Sequence, residues 1–207
     1  MSSRALIMSR VRRNQPAWRA LPQVPSFARP LADPLASFGA ALKRMGGTLA
    51  EPPTAGTLDD FIRDRFPGAP VICSATPEVE GTRRVDTVRR PADLDDVDVG
   101  VVRAVFGVAE TGSVWLSERE FGVNALGFLS QHLVVLLDPT SIVADLHDAY
   151  TWRGFREARY AVLMTGPSAT ADIEGVLIRG AQGIRTLTVI PVARPGAVAD
   201  NNERRSA

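Results

Sequence analysis

The segment His132-Leu133-Val134-Val135-Leu136-Leu137 is the strongest indication of the fold in this sequence. Five aliphatic residues in succession have no polar face to turn to solvent. A run this short is typical of a strand buried on both faces. Such strands occur in parallel sheets whose two faces are covered by other elements. The segment therefore predicts a central strand of an α/β domain.

Apolar runs and amphipathic patterns alternate on both sides of this segment. The apolar runs predict strands at residues 71–73, 101–108, 113–116, 160–164 and 186–190. Helical spacing predicts helices beginning at Asp33-Pro34, at Thr57, at Asp138-Pro139 (carrying Ile142, Val143, Leu146 and Tyr150) and after Gly166-Pro167-Ser168 (carrying Ile173, Val176 and Leu177). The charged stretch 78–98 is predicted to be mainly loop and sheet edge. This order of elements predicts an α/β three-layer sandwich with a mainly parallel sheet.

The chain divides into three parts. Residues 1–31 are predicted to be a basic helix followed by a proline-rich arm, residues 32–193 the α/β domain, and residues 194–207 a disordered tail. The first twenty residues carry five arginines and no acid, which leaves the rest of the chain at −4 for a net charge of +1. A mildly acidic body with few aromatic residues argues against nucleic-acid binding.

The scarce residue types exclude several kinds of chemistry. With one cysteine, Cys73, and two histidines, the chain has no iron–sulfur or H-E-x-x-H metal signature. Lys43 is the only lysine, which leaves no phosphate-loop motif and no evident pyridoxal-phosphate lysine, and no G-x-G dinucleotide fingerprint is present. The sequence therefore does not identify a cofactor. No apolar run approaches a membrane span, no secretory signal is present, and we expect a cytoplasmic protein.

Two segments are predicted to follow strands where ligands of parallel sheets collect. Glu110 is the candidate catalytic residue, a nucleophile or general base, with Thr111 and Gly112 beside it as candidate ligand-binding residues. A surface Glu paired with an arginine such as Arg119 is the alternative.

The second segment runs through Gly166, Pro167, Ser168, Ala169 and Thr170 to Asp172. Amides at the start of the predicted helix, with two hydroxyl groups, can bind a carboxylate or phosphate, although Asp172 competes for the same position. A well-capped turn is the alternative. His132 is also counted among the ligand-binding candidates, against a core histidine as the alternative. Both segments are expected to face one pocket.

Several motifs together resemble the LUD-domain family, specifically the lactate utilisation protein C type. The matching stretches are Ala109–Val114, His132–Val135 with Ile142-Val143, Thr165–Glu174 and Arg179–Gly183. In the last of these the family usually has Gly-x-His-Gly-Pro, where this chain has Gln182 and Ile184.

The resemblance implies a fold related to the NagB/RpiA/CoA-transferase group. It also implies membership of a bacterial system that oxidises L-lactate to pyruvate, with the iron–sulfur centres on partner subunits. We expect a subunit that binds a small carboxylate or is otherwise accessory. Two alternatives stay open: a free-standing CoA-transferase or sugar-phosphate-isomerase-like enzyme using Glu110, and a non-catalytic interaction module.

Overall fold

The computed structural model describes residues 2–25, 30–171 and 175–194. The strands in these ranges are β1 (Thr48–Leu49), β2 (Ile72–Ser74), β3 (Arg83–Arg84), β4 (Val99–Arg103), β5 (Phe106–Val108), β6 (Ser113–Ser117), β7 (His132–Leu137), β8 (Ile142–Val143), β9 (Ala161–Met164), β10 (Ala169–Thr170), β11 (Ile178–Arg179) and β12 (Thr186–Pro191). The helices are α1 (Ser3–Arg13), α2 (Pro34–Arg44), α3 (Leu58–Arg65), α4 (Glu118–Phe121), α5 (Leu126–Leu129), α6 (Leu146–Tyr150) and α7 (Gly154–Glu157). Short 3₁₀ turns span Val85–Thr87, Pro91–Leu94 and Pro139–Ser141.

A parallel sheet of six strands forms the centre, in the order β1-β12-β7-β4-β2-β3. Strand β7 lies inside it, and its side chains alternate between two cores. Leu133, Val135 and Leu137 join one core, and Val134 and Leu136 join the other, which α3 covers. The predicted α/β class with a mainly parallel sheet is confirmed.

A second sheet, in the order β8-β5-β6-β9, packs on the first face. Its residues Val114 and Leu116 share a core with the odd-numbered residues of β7, and Phe38 and Leu42 of α2 complete that core. On its outer face, Trp115 lies in a smaller core that α6 and α7 cover. This sheet was not predicted as a separate unit.

The predicted strand 101–108 is wrong in its continuity. The Ala104 N–H donates to Leu136 O in the parallel sheet at 2.9 Å, whereas the Val105 N–H donates to Trp115 O in the second sheet at 3.2 Å. The chain therefore crosses between sheets at this bond. An apolar run cannot reveal this crossing, because the strands before and after it, β4 and β5, are both fully buried.

Two predicted helices also differ from the structure. The helix predicted after Asp138 forms only in its second half, as α6 (Leu146–Tyr150). After Asp138 the chain makes a 3₁₀ turn, and Ile142-Val143 then pairs with β5, which suits two β-branched residues. After Ser168 the described residues form a short antiparallel pair, Ala169–Thr170 with Ile178–Arg179. Asp172 and Ile173 lie outside the described residues.

Other local predictions are confirmed. The Asp33 carboxylate accepts from the Ala36 N–H at 2.9 Å and begins α2, and Thr57 begins α3 through a capping box. Helix α1 forms and buries none of its residues.

Arg194 differs from its predicted place in the tail. Its backbone N–H donates to Asp138 Oδ2 at 2.8 Å, which holds it against the domain.

Candidate functional site

The two predicted segments leave the same edge of the second sheet. Strands β5 and β9 each pair antiparallel with β6, so they run in the same direction. The Glu110 turn follows β5, and the loop beginning at Thr165 follows β9. The Thr165 hydroxyl donates to Thr111 O at 3.3 Å, which joins them directly.

Helix α2 fills much of the space over this edge. Gly112 has φ +67°, and a Cβ there would collide with the backbone of Leu42. Gly166 has φ +63° and lies against the carbonyl of Met45. Both glycines are therefore required by close backbone packing, and neither leaves open space for a ligand at its own Cα.

Glu110 acts as a cap. Its Oε2 accepts from the Leu146 N–H at 3.1 Å and so satisfies a free donor at the start of α6. A cavity of about 740 Å³ lies beside it, lined also by Ser37, Arg44 and His147. Among the described residues lining this cavity, none comes from 166–170. The predicted segments thus share an edge without sharing this cavity.

The loop after β9 lacks the predicted helix start. Gly166 and Pro167 are buried, Ser168 and Thr170 are half-buried, and Ala169 is exposed. The Ser168 carbonyl accepts from the Gly180 N–H at 2.6 Å, so the loop is held as a two-stranded flap. Over the described residues 165–171 and 175–179 no helix presents free amides for an anion.

His132 lies at the amino end of the parallel sheet, opposite the edge where parallel sheets bind ligands. Its Nδ1 is 2.8 Å from the Thr186 hydroxyl, and its ring centre is 4.8 Å from that of Phe66. Burial, and secondly the positive charge of Arg185, lowers the pKa of the imidazole. These contacts describe a packed, neutral histidine.

The two departures from the expected family motif have different surroundings. Ile184 is buried and belongs to the main core, whereas Gln182 is exposed. Ile184 therefore has a packing role in this chain.

The carboxyl edge of the parallel sheet carries a charged cluster that the sequence did not reveal. Arg103 ends β4, Asp138 follows β7 and Arg194 follows β12. In the loop after β2, the Thr76 hydroxyl donates to Glu78 Oε2. This is the edge at which α/β sheets bind ligands.

Arg103 is the central residue of this cluster. Its side chain is 9% exposed; its Nη1 donates to Val192 O at 3.0 Å, and its Nε lies 2.5 Å from Glu78 Oε1. The Nε and Nη2 atoms are both buried and neither has a hydrogen-bond partner among the described residues, although Nε is in ion-pair contact with Glu78. A buried donor left unpaired costs about 1–3 kcal/mol, so the Nη2 nitrogen is expected to meet a ligand atom.

A cavity of about 610 Å³, here called the arginine cavity, opens on this cluster. Its lining residues are Ala75, Thr76, Pro77, Glu78, Arg103, Glu120 and Arg194. Burial lowers the pKa of Arg103, although Glu78 opposes this shift and Arg103 remains charged at neutral pH. Burial also acts to raise the pKa of Glu78, but hydrogen bonds and the charge of Arg103 outweigh it and hold that pKa low. Two guanidinium groups and two carboxylates line this cavity, so its charges balance and the arginines form its anion-binding side.

The sequence contained one overlooked signal for this site. An arginine inside the apolar run 99–108 has to be buried, and a buried charge needs a partner. Treating the run as one continuous strand concealed that Arg103 stands at a strand end.

Other reactive groups contribute little. Burial raises the pKa of the Cys73 thiol from 9.0 to about 11, so it is not a thiolate at neutral pH. Within residues 2–25, 30–171 and 175–194, no group of three His, Cys, Asp or Glu side chains is arranged to hold a metal ion. None of the helices in those ranges has the length and apolarity needed to cross a bilayer.

The fold and the arginine cavity define an α/β protein with a charged cavity at the carboxyl edge of a parallel sheet. A family model described as the LUD domain matches residues 79–192, which is more than half of the chain. The chain belongs to the LUD-domain family, as its motifs indicated. Arg103 and Glu110 lie within the matched residues.

Individual relatives agree with this assignment. The chain is 31% identical over 104 residues to a lactate utilization protein C of Deinococcus radiodurans, covering 49% of each sequence. It thus spans about half the length of that curated relative. A crystal structure of a DUF162 family protein from the same organism has a TM-score of 0.57, is 19% identical, and covers 77% of this chain and 96% of its own. That likeness shows a shared fold.

Proposed function

We propose that this chain is a component of a bacterial lactate utilisation system and that it binds a small carboxylate in the arginine cavity. The name of the curated relative supports the first part, and the charged cluster supports the second. The observation that carries the proposal is the buried Arg103 Nη2 atom, which has no partner in the described part of the chain.

A small carboxylate suits the free donors of this cavity. One carboxylate oxygen accepts from Arg103 Nη2, and Arg194 supplies the second positive charge. Glu78 and Glu120 line the same cavity and offer acceptors. A 2-hydroxy acid has a hydroxyl that can donate to such an acceptor, whereas the corresponding 2-keto acid has none, so we expect lactate to bind more tightly than pyruvate.

Electron transfer then belongs to partner subunits. The chain has one cysteine, which is too few to hold an iron–sulfur cluster of its own. We propose that the chain supplies the carboxylate site and that iron–sulfur proteins of the same system accept the electrons.

Calorimetric titration of lactate, pyruvate and acetate into the purified protein tests this proposal. The variant Arg103→Gln is expected to weaken lactate binding at least about tenfold, consistent with the loss of a charged hydrogen bond. Arg194→Gln, which leaves the Arg103–Glu78 pair in place, is expected to weaken binding several-fold. The control Arg89→Gln alters an exposed arginine and is expected to change nothing.

The proposal is wrong if lactate binds equally well to the wild type and to folded Arg103→Gln and Arg194→Gln proteins. It is also wrong if no small carboxylate binds the wild type. Deletion of the gene provides the test in the cell, where unchanged growth on lactate contradicts the assigned role.

A further inference from the structure

A second cavity of about 380 Å³ adjoins the arginine cavity. Glu120 and Arg194 line both, so the two spaces meet at these side chains. Trp115 and Trp152 are among its lining residues, and Gly154 packs closely against both rings, since a Cβ there would lie less than 3 Å from each. We call this second space the aromatic chamber.

Trp115 carries an unused hydrogen-bond donor. The residue is 3% exposed, and its buried Nε1 has no hydrogen-bond partner in the described residues. The ring stacks on Phe106 with centres 5.7 Å apart and meets Phe155 edge-on, so it is firmly held. Because a tryptophan N–H in a protein interior is normally paired, this donor points to an acceptor atom supplied by a ligand.

The charges of the chamber favour an anion. Of the charged side chains that line it, Arg153 is paired with Glu157 at 3.0 Å, and Glu120 accepts from the backbone N–H of Ser117 at 2.8 Å. Neither Arg119 nor Arg194 forms an ion pair with an acidic side chain of the described chain. Three arginines and two glutamates thus give the lining a net charge of +1, and Arg119 and Arg194 are its cations without an acidic partner in the described residues.

The chamber begins within reach of the arginine cavity. Arg103 and Val105 are two residues apart, so their Cα atoms are at most about 7 Å apart. Val105 lines the chamber, and its N–H donates to Trp115 O at 3.2 Å. Ligands in the two spaces would lie side by side.

We propose that the aromatic chamber binds a second ligand beside the small carboxylate. This ligand is a planar aromatic anion with a hydrogen-bond acceptor in its ring system. The Trp152 ring selects the flat ring system and the Trp115 N–H selects the acceptor. Arg119, an arginine that this chamber does not share with the arginine cavity, selects the negative charge. The inference rests on the proposed function, since it takes the arginine cavity as the neighbouring site.

Two model compounds test this directly by calorimetry. Chromone-2-carboxylate is planar and anionic and has a ring carbonyl, whereas naphthalene-2-carboxylate lacks that acceptor. The wild type is expected to bind the chromone roughly 2- to 10-fold more tightly, the range that one net hydrogen bond provides. Trp115→Phe keeps an aromatic side chain, although a smaller one, removes the N–H and is expected to abolish this preference. The control Trp18→Phe alters a side chain that is 88% exposed and is expected to retain it.

A second variant does not touch the core tryptophan. Ala158→Leu places extra volume in the chamber and is expected to weaken binding of both compounds at least tenfold, without changing the affinity for lactate. Equal binding of the two compounds by the wild type, a preference that survives in Trp115→Phe, or unchanged binding in Ala158→Leu overturns the inference.

Arg103→Gln separates this inference from the proposed function. It is expected to weaken lactate binding at least about tenfold and to leave chromone binding within about threefold. If chromone binding is lost as well, one ligand spans both spaces and the proposal of a second ligand is wrong. If lactate binding survives while Trp115→Phe acts as expected, the proposed function fails and the aromatic site stands.

Discussion

Arg103 and Glu78 form an ion pair at the carboxyl edge of the parallel sheet, with Nε and Oε1 2.5 Å apart and side chains only 9% and 17% exposed. This ion pair leaves some of the hydrogen-bond donors of the Arg103 guanidinium without a partner. Nε faces Glu78, Nη1 donates to Val192, and Nη2 has no partner in the described residues. The proposed carboxylate site depends on this buried donor.

Glu78→Gln is expected to lower the free energy of unfolding by roughly 3 kcal/mol, because Arg103 loses its charged partner in a buried position. Urea unfolding at pH 7 measures this. Glu157→Gln, in the exposed pair with Arg153, is the control and is expected to cost less than about 0.5 kcal/mol.

The ion pair of Glu78 also predicts that the stability of the protein depends on pH. The pKa of Glu78 is lowered in the folded protein, so its contribution is present above the ordinary value of 4.5 and is lost as the pH falls through the folded value. Wild-type stability is therefore expected to fall more steeply than that of Glu78→Gln below about pH 4.5. Parallel curves for the two proteins would contradict this assignment.

The lowered pKa of His132 predicts a second pH range, higher than that of Glu78, in which stability declines as the pH falls. Its pKa is lowered in the folded protein by burial and by Arg185, while Asp98 opposes the shift. The unfolded chain therefore binds the proton more readily, and stability is expected to decline as the pH falls below about 6.5 until the folded imidazole also titrates. His132→Asn is expected to remove this decline between pH 7.5 and 5. An unshifted imidazole titration in NMR spectra would show the prediction to be wrong.

The sequence predicted the elements whose signals are local. Strand β7 was predicted at its observed bounds because five aliphatic residues admit few alternatives, and α2 and α3 begin at the residues whose side chains cap them. The parallel sheet followed from the order of these elements.

The remaining errors concern contacts between residues distant in the chain. No local pattern shows that Arg103 and Val105 belong to different sheets, because their pairing partners lie in β7 and β6. The pairing of Ala169–Thr170 with Ile178–Arg179 similarly overrode the apolar spacing that predicted a helix. The Arg103–Glu78 pair also depends on this long-range placement, so the sequence alone directed attention to Glu110.

We predict that replacing Gly112 with alanine costs more stability than the same replacement at Gly175, a glycine of similar conformation. Gly112→Ala combines a φ of +67° with a collision against the Leu42 backbone, and we expect a loss of about 3 kcal/mol or more. Gly175 has φ +71° with no atom within 4 Å of the added Cβ, so Gly175→Ala is expected to cost only about 1 kcal/mol. Urea unfolding of both variants measures the difference, and equal losses would mean that α2 does not pack on this turn.

Glu110 allows a test of its structural role against the catalytic one. Its carboxylate accepts from the Leu146 N–H, and a glutamine can accept the same hydrogen bond through its amide oxygen. We therefore expect Glu110→Gln to retain nearly full stability and Glu110→Ala to lose about 1 kcal/mol, the usual cost of a helix cap. A nucleophilic Glu110 would behave differently, because an amide cannot form the acyl thioester of a CoA-transferase. Incubation with acyl-CoA followed by mass spectrometry of the intact protein distinguishes the two roles. We expect no adduct; a thioester at Glu110 that is absent from Glu110→Gln would instead establish the free-standing transferase.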